Sequence, residues 1–195
     1  GLEAPLEGQV NAVVEVAHLF GQPVFRLNGK IERLFFDDVE MGTVLAKSNW
    51  VEQANKLEVE GRLIRHSDTV VVLTGVYDLD DEVRPMDFYL TLHRFPLEVV
   101  QPFVQDFVFG LEGLAYLKKA HLFGKPTHPQ LEGSCTLDAR FGLSVLKSYF
   151  SVQSTVLLKP DRLEFDRFMV QNCDLRRKKP KANQVAYVNG AIRHS

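Results

Sequence analysis

Three observations predict an all-β chain, a long, curved, mainly antiparallel sheet with one short capping helix. Apolar and polar residues alternate along most of the 195 residues, the period of half-buried strands. Turn residues separate the alternating runs at hairpin-like intervals. The run Ala17-His18-Leu19-Phe20-Gly21-Gln22-Pro23 returns as Ala120-His121-Leu122-Phe123-Gly124-Lys125-Pro126, with Gly29 and Gly133 following at similar distances, as expected of a repeated β unit.

The elements follow in order. Residues 10–16 are apolar at every second position. Phe25, Leu27, Gly29 and Ile31 share one parity, while Arg26, Asn28, Lys30 and Glu32 share the other. Residues 39–50 read as a strand pair with Met41-Gly42 near its turn. Residues 57–63 alternate strictly. Residues 69–77 are β-branched and apolar on both parities, so part of that strand is expected to be covered on both sides. His66-Ser67-Asp68 joins the two. The acidic residues 78–82, ahead of Pro85, form the next turn, and residues 86–92 alternate again, completing a meander.

Residues 96–107 break the period. Leu97, Val100 and Val104 recur at helical spacing, with Pro96 suited to a first turn and Pro102 expected to end or kink the helix. Such a helix is expected to cover one end of the sheet. The β pattern resumes at residues 131–139. Short strands at 154–158, 162–165 and 168–170 follow, split at 159–161 and 166–167. A basic loop at 176–181 and a last strand at 182–192 complete ten to twelve strands. The chain therefore reads as one β-rich segment, residues 1–195, of a larger protein. A weak internal repeat, 9–94 and 111–195, flanks the helix. Gly29, Gly61, Gly75, Gly133 and Gly190 sit inside strand patterns, where repeated glycine curves a sheet.

Composition narrows the function. A net charge of −2 excludes a general nucleic-acid footprint. No run of about 18 apolar residues is present. Cys135 and Cys173 do not make a disulfide framework; they pair in an oxidising compartment or stay as buried thiols. His121, His128 and Cys135 are spaced by seven, wider than zinc pairs, so no metal is expected. No nucleophile elbow and no Gly-rich phosphate fingerprint occurs, so the expectation is a non-enzymatic chain without a cofactor.

Several runs, taken in order, resemble one family. They are Leu57-Glu58-Val59-Glu60-Gly61, then Leu73-Thr74-Gly75-Val76-Tyr77. Phe95-Pro96-Leu97-Glu98-Val99-Val100-Gln101-Pro102 follows, ahead of Leu111-Glu112-Gly113. His128-Pro129-Gln130-Leu131-Glu132-Gly133 and Ala182-Asn183-Gln184-Val185-Ala186-Tyr187-Val188-Asn189-Gly190-Ala191-Ile192 complete the set. Together they resemble the C-terminal region of the TamB-type translocation and assembly module family, in the AsmA-like group. The basic stretch at 176–181 departs from the family, which often has a short Asp- and Gly-containing turn there.

The resemblance implies a β-taco, a curved sheet with an apolar trough. It also implies a periplasmic location within an inner-membrane-anchored protein. The implied partners are phospholipid acyl chains, an outer-membrane barrel assembly partner and nascent outer-membrane proteins. The expected functions are phospholipid transport to the outer membrane and outer-membrane protein assembly. Val59, Leu63, Leu73, Phe88, Leu90, Leu137 and Leu163 are then expected to line the groove. Alternation by itself favours a plainer reading, in which they fill a dry β-sandwich core of a binding module. Arg176, Arg177, Lys178 and Lys179 are either a solvated loop or a contact for anionic headgroups. An exposed strand edge offers a third role, a chaperone-like scaffold pairing with nascent strands.

Overall fold

The computed structural model describes residues 6–17, 24–36, 39–173 and 180–193. Eleven strands are present: β1 (Leu6–Ala17), β2 (Val24–Phe36), β3 (Val39–Val51), β4 (Lys56–Arg65), β5 (Asp68–Asp78), β6 (Met86–Pro96), β7 (Val108–Lys125), β8 (His128–Leu143), β9 (Ser148–Lys159), β10 (Arg162–Cys173) and β11 (Pro180–Arg193). They follow one another in chain order in a single antiparallel, unclosed sheet. The all-β expectation holds, and two packed sheets, as a sandwich requires, are not what this topology shows.

The chain divides into two compact units. The first comprises Gly1–Thr91 and Lys119–Leu131, the second Leu92–Lys118 and Glu132–Ser195. The first contains β1 to β5 with parts of β6, β7 and β8; the second contains the remainder of those three with β9 to β11.

Three local expectations are corrected. Residues 39–51 form one strand rather than a pair. Gly42 lies in an irregularity of the β2–β3 ladder, at φ +125°, and is pressed against the Ile64 carbonyl, so its signal is a bulge and not a turn. Likewise β10 runs on through residues 166–167. The register shifts between Phe165 and Phe168, with Arg167 at φ +48°. The helical segment is shorter than expected: a 3₁₀ turn at Leu97–Val100, then α1 (Gln101–Val104). Pro102 does not end it. It lies in the first turn of α1, where its missing N–H costs nothing.

In the second unit this segment packs on the face of the sheet, not on an edge strand. Leu97 is buried with Ala115 of β7 and Ala139 of β8, and Leu92, Phe95, Val100, Leu111, Cys135, Leu137 and Phe141 surround them. Small residues on the strands let the helical turn approach closely. Val99 is 1% exposed. Gln101 fastens the segment to β7: its amide donates to the Val108 carbonyl at 2.6 Å, and its Oε1 accepts from the Leu111 N–H at 2.7 Å.

In the first unit the β4–β5 turn at His66-Ser67 has φ +49° and +72° at its two central residues, the backbone of a tight hairpin. The β5–β6 loop is organised by carboxylates. The Asp81 side chain accepts from the N–H groups of Val83 and Arg84, and Asp78 accepts from that of Asp80. Lys56 Nζ lies 3.0 Å from Asp78. The Lys56 hydrogen bond and the Asp80 N–H hold the Asp78 carboxyl below the usual range, and Asp78 in turn raises Lys56.

Two predictions follow from these contacts. Gln101→Ala leaves a carbonyl and an N–H of β7 unpaired and should cost about 1–3 kcal/mol in urea unfolding. Because folding lowers the Asp78 pKa, its contribution is present above the ordinary carboxylate range of about 4 and lost as pH falls through the folded value. Asp78→Asn should therefore reduce stability near neutral pH and flatten the acid limb of a stability–pH curve.

Candidate functional site

The ladder register of the first unit sorts its side chains onto two faces, because residues directly opposite in an antiparallel pair point the same way. One cross-strand row reads Ala12–Gly29–Ala46–Gly61–Leu73. The row on one side of it reads Val10–Ile31–Val44–Leu63–Val71, and the row on the other reads Val14–Leu27–Ser48–Val59–Gly75. Trp50–Leu57–Tyr77 closes the set. Ser48 is the one residue of these rows with an aliphatic hydroxyl. The opposite face is mixed: it carries Arg26, Asn28, Lys30, Lys47, Asn49, Glu58, Glu60, Arg62 and Thr74, with Val13, Leu45, Val72 and Val76 among them.

The small residues make a furrow. Ala12, Gly29, Ala46 and Gly61 stand side by side across four strands, a span of about 14 Å. Larger aliphatic side chains flank them. Apart from strands, the first unit's described residues hold only the 3₁₀ turn Glu52–Ala54 as regular structure, so no α-helix of this unit lies over the face. Most of the face is half-buried, and Val10 and Val14 on β1 are 66% and 59% exposed. The rows run unbroken across β1 to β5, unlike singly scattered surface hydrophobes.

The seven residues expected to line a groove fall in both units. Val59, Leu63 and Leu73 lie in the rows just described. Phe88 is 7% exposed and its ring covers Gly75, so it joins the same face, with Leu90 two residues along the strand. In the second unit Leu137 packs at the cluster beneath the helical turn. Leu163 stands opposite Leu158 and Ile192, the latter 61% exposed on the last strand. Arg176, Arg177, Lys178 and Lys179 lie outside the described residues. So does most of the first repeat copy; Ala17 ends β1, as the second copy, from Ala120, ends β7.

One constellation has no sequence signal. In the first unit Arg84, Phe123, His121, Tyr89 and Lys119 form a ladder of cations and rings. The Arg84 guanidinium lies 4.7 Å from the Phe123 centroid and Lys119 Nζ lies 4.7 Å from that of Tyr89. His121 stacks on Tyr89 at 5.2 Å and meets Phe123 at 4.6 Å, and its Nε2 is 2.7 Å from Asp87 Oδ1. His121 and the Tyr89 ring are thus engaged from within, which makes the ladder a brace. His128 pairs separately with Thr127.

The mixed face holds an open depression of about 620 Å³, but Arg26 and Lys47 balance Glu58 and Glu60 along its lining. No group of three or more His, Cys, Asp or Glu placed to hold a metal occurs among the described residues. Both cysteines are free, and burial pushes the Cys135 thiol up, away from the reactive thiolate.

The furrow makes a paired prediction. A Cβ on Gly61 would meet Leu73 Cβ at 3.6 Å, ordinary contact, whereas one on Gly75 would run into the Asp87 carbonyl and Phe88. Gly61→Ala should leave stability unchanged or raise it by about 0.4–1 kcal/mol. Gly75→Ala should lower it by about 1–3 kcal/mol in the same urea titration.

No family profile matches the sequence, and no curated protein or solved structure matches it either.

Proposed function

We propose that this chain is a non-enzymatic segment of a periplasmic bridge whose apolar face shields acyl chains. It would act in phospholipid transport to the outer membrane and in outer-membrane protein assembly, within an inner-membrane-anchored protein. The single observation that carries this reading is the face built from rows Val10–Val71, Ala12–Leu73 and Val14–Gly75, with no α-helix of its own unit laid over it. Burying an alkyl chain there returns about 0.8 kcal/mol per CH₂ and needs no specific polar partner. A furrow floored by Ala and Gly gives such a chain a place to lie.

A second reading has its own support. β1 and β11 are the outer strands of the sheet, and each is long. Between Gly8 and Val14 β1 carries no charge and no proline, and β11 carries none between Ala182 and Ile192. Edges without such guards accept added strands, as a scaffold for nascent outer-membrane proteins would require.

Native mass spectrometry of the purified chain with lipid extraction tests the first reading. The expected result is co-purified phospholipid in the parent and its loss in Leu73→Asp with Leu90→Asp, with the β-sheet circular dichroism retained. A lipid-free parent, or lipid retained by the folded double variant, overturns it and leaves the edge-pairing scaffold.

A further inference from the structure

At one end of the second unit three large apolar side chains stand in water. Phe107 is 69% exposed, Val145 86% and Leu146 59%. They come from two adjoining turns, residues 105–107 after α1 and residues 144–147 between β8 and β9. The Ser144 N–H donates to the Phe107 carbonyl at 3.0 Å, which ties the turns together. Behind them the Phe109 ring covers Gly142 and meets Tyr149 edge-on at 5.6 Å and 77°. The Tyr149 hydroxyl donates to the Gly110 carbonyl at 2.7 Å. The scaffold is packed and hydrogen-bonded, so the three side chains are held outward by it. None belongs to the buried cluster under the helical turn. A solvated hairpin turn ordinarily carries Gly, Asn, Asp or Ser; this one has Val-Leu at its centre.

We infer that this tip inserts into the boundary between headgroups and acyl chains of a lipid bilayer. Three features favour a bilayer over a protein. The tip consists of two exposed turns with their apolar side chains in water. Its apolar area is on the order of 350 Å², under half of the roughly 800 Å² per partner of a stable protein interface. A fluid bilayer imposes no such minimum, because each side chain gains by its own burial. The rim is polar, with Ser144, Gln105, Asp106 and Lys147 exposed around the apolar centre, as at the collar of an interfacial anchor. The charges of Lys147 and Asp106 offset each other, so the attraction is apolar and independent of anionic lipid. This inference does not rest on the groove reading; it uses other residues, in the other unit.

The test is flotation of the full chain with phosphatidylcholine vesicles in about 0.5 M salt, where the Debye length is only a few ångströms and exposed ionic contacts are screened. The parent should float with the vesicles. Val145→Ser with Leu146→Ser should lower the vesicle-bound fraction about tenfold, the effect of losing roughly 1.4 kcal/mol. That variant should melt like the parent, because the removed groups face water, and should keep any co-purified lipid. In a second measurement Leu146→Trp, in a Trp50→Phe background, should be quenched by lipids brominated near the headgroup end of the chain. A parent that does not float, a tip variant that floats like the parent, or an unquenched Trp overturns the inference. Loss of co-purified lipid without loss of flotation would strike the groove reading alone.

Discussion

Register is the constraint on which the rest of this structure depends. In an antiparallel ladder each residue faces the same way as its partner, and a slip of one position turns a whole strand over. The pairing places Val opposite Ile from β1 to β3 and Gly opposite Ala from β1 to β4. The apolar face is therefore a collective product of four ladders. No single strand has enough apolar surface to define it. On the other face Glu60 of β4 stands opposite Lys47 of β3, and charged side chains there reach water.

What was legible in the sequence was what a two-residue period can express. β2 and β4 alternate cleanly, and His66-Ser67 punctuates β4 from β5. The misreadings fall where the period breaks for reasons that only the partner strand reveals. Met41-Gly42 looks like a turn until Gly42 is seen against Ile64 across the ladder. Residues 166–167 look like a loop until β9 and β11 are seen to pair on both sides of them. Arg33, Arg94, Lys119 and Arg167 all take φ near +50° within strands, although glycine is the residue usually chosen there. Nothing in their identity announces it. Long cationic side chains simply remain solvated while the backbone kinks beneath them.

The candidate site divides along the same line. The apolar rows could be read from parity, and Val59, Leu63, Leu73, Phe88 and Leu90 fall on one face of the first unit as alternation requires. The furrow could not, because Ala12, Gly29, Ala46 and Gly61 are far apart in the chain and meet only through register. The cation and ring ladder around His121 is invisible for the same reason. The Phe107, Val145 and Leu146 tip was hidden differently: only their exposure separates these apolar residues from core ones.

The order of the strands has a kinetic consequence. Every ladder joins neighbours in the sequence, so no strand waits for a distant segment to arrive. Chains dominated by short-separation contacts close small loops first and lose little entropy in doing so. A large all-β chain would ordinarily be a slow folder. This one can instead nucleate at any tight hairpin, such as that around His66, and zip outwards in both directions, each strand templating the next.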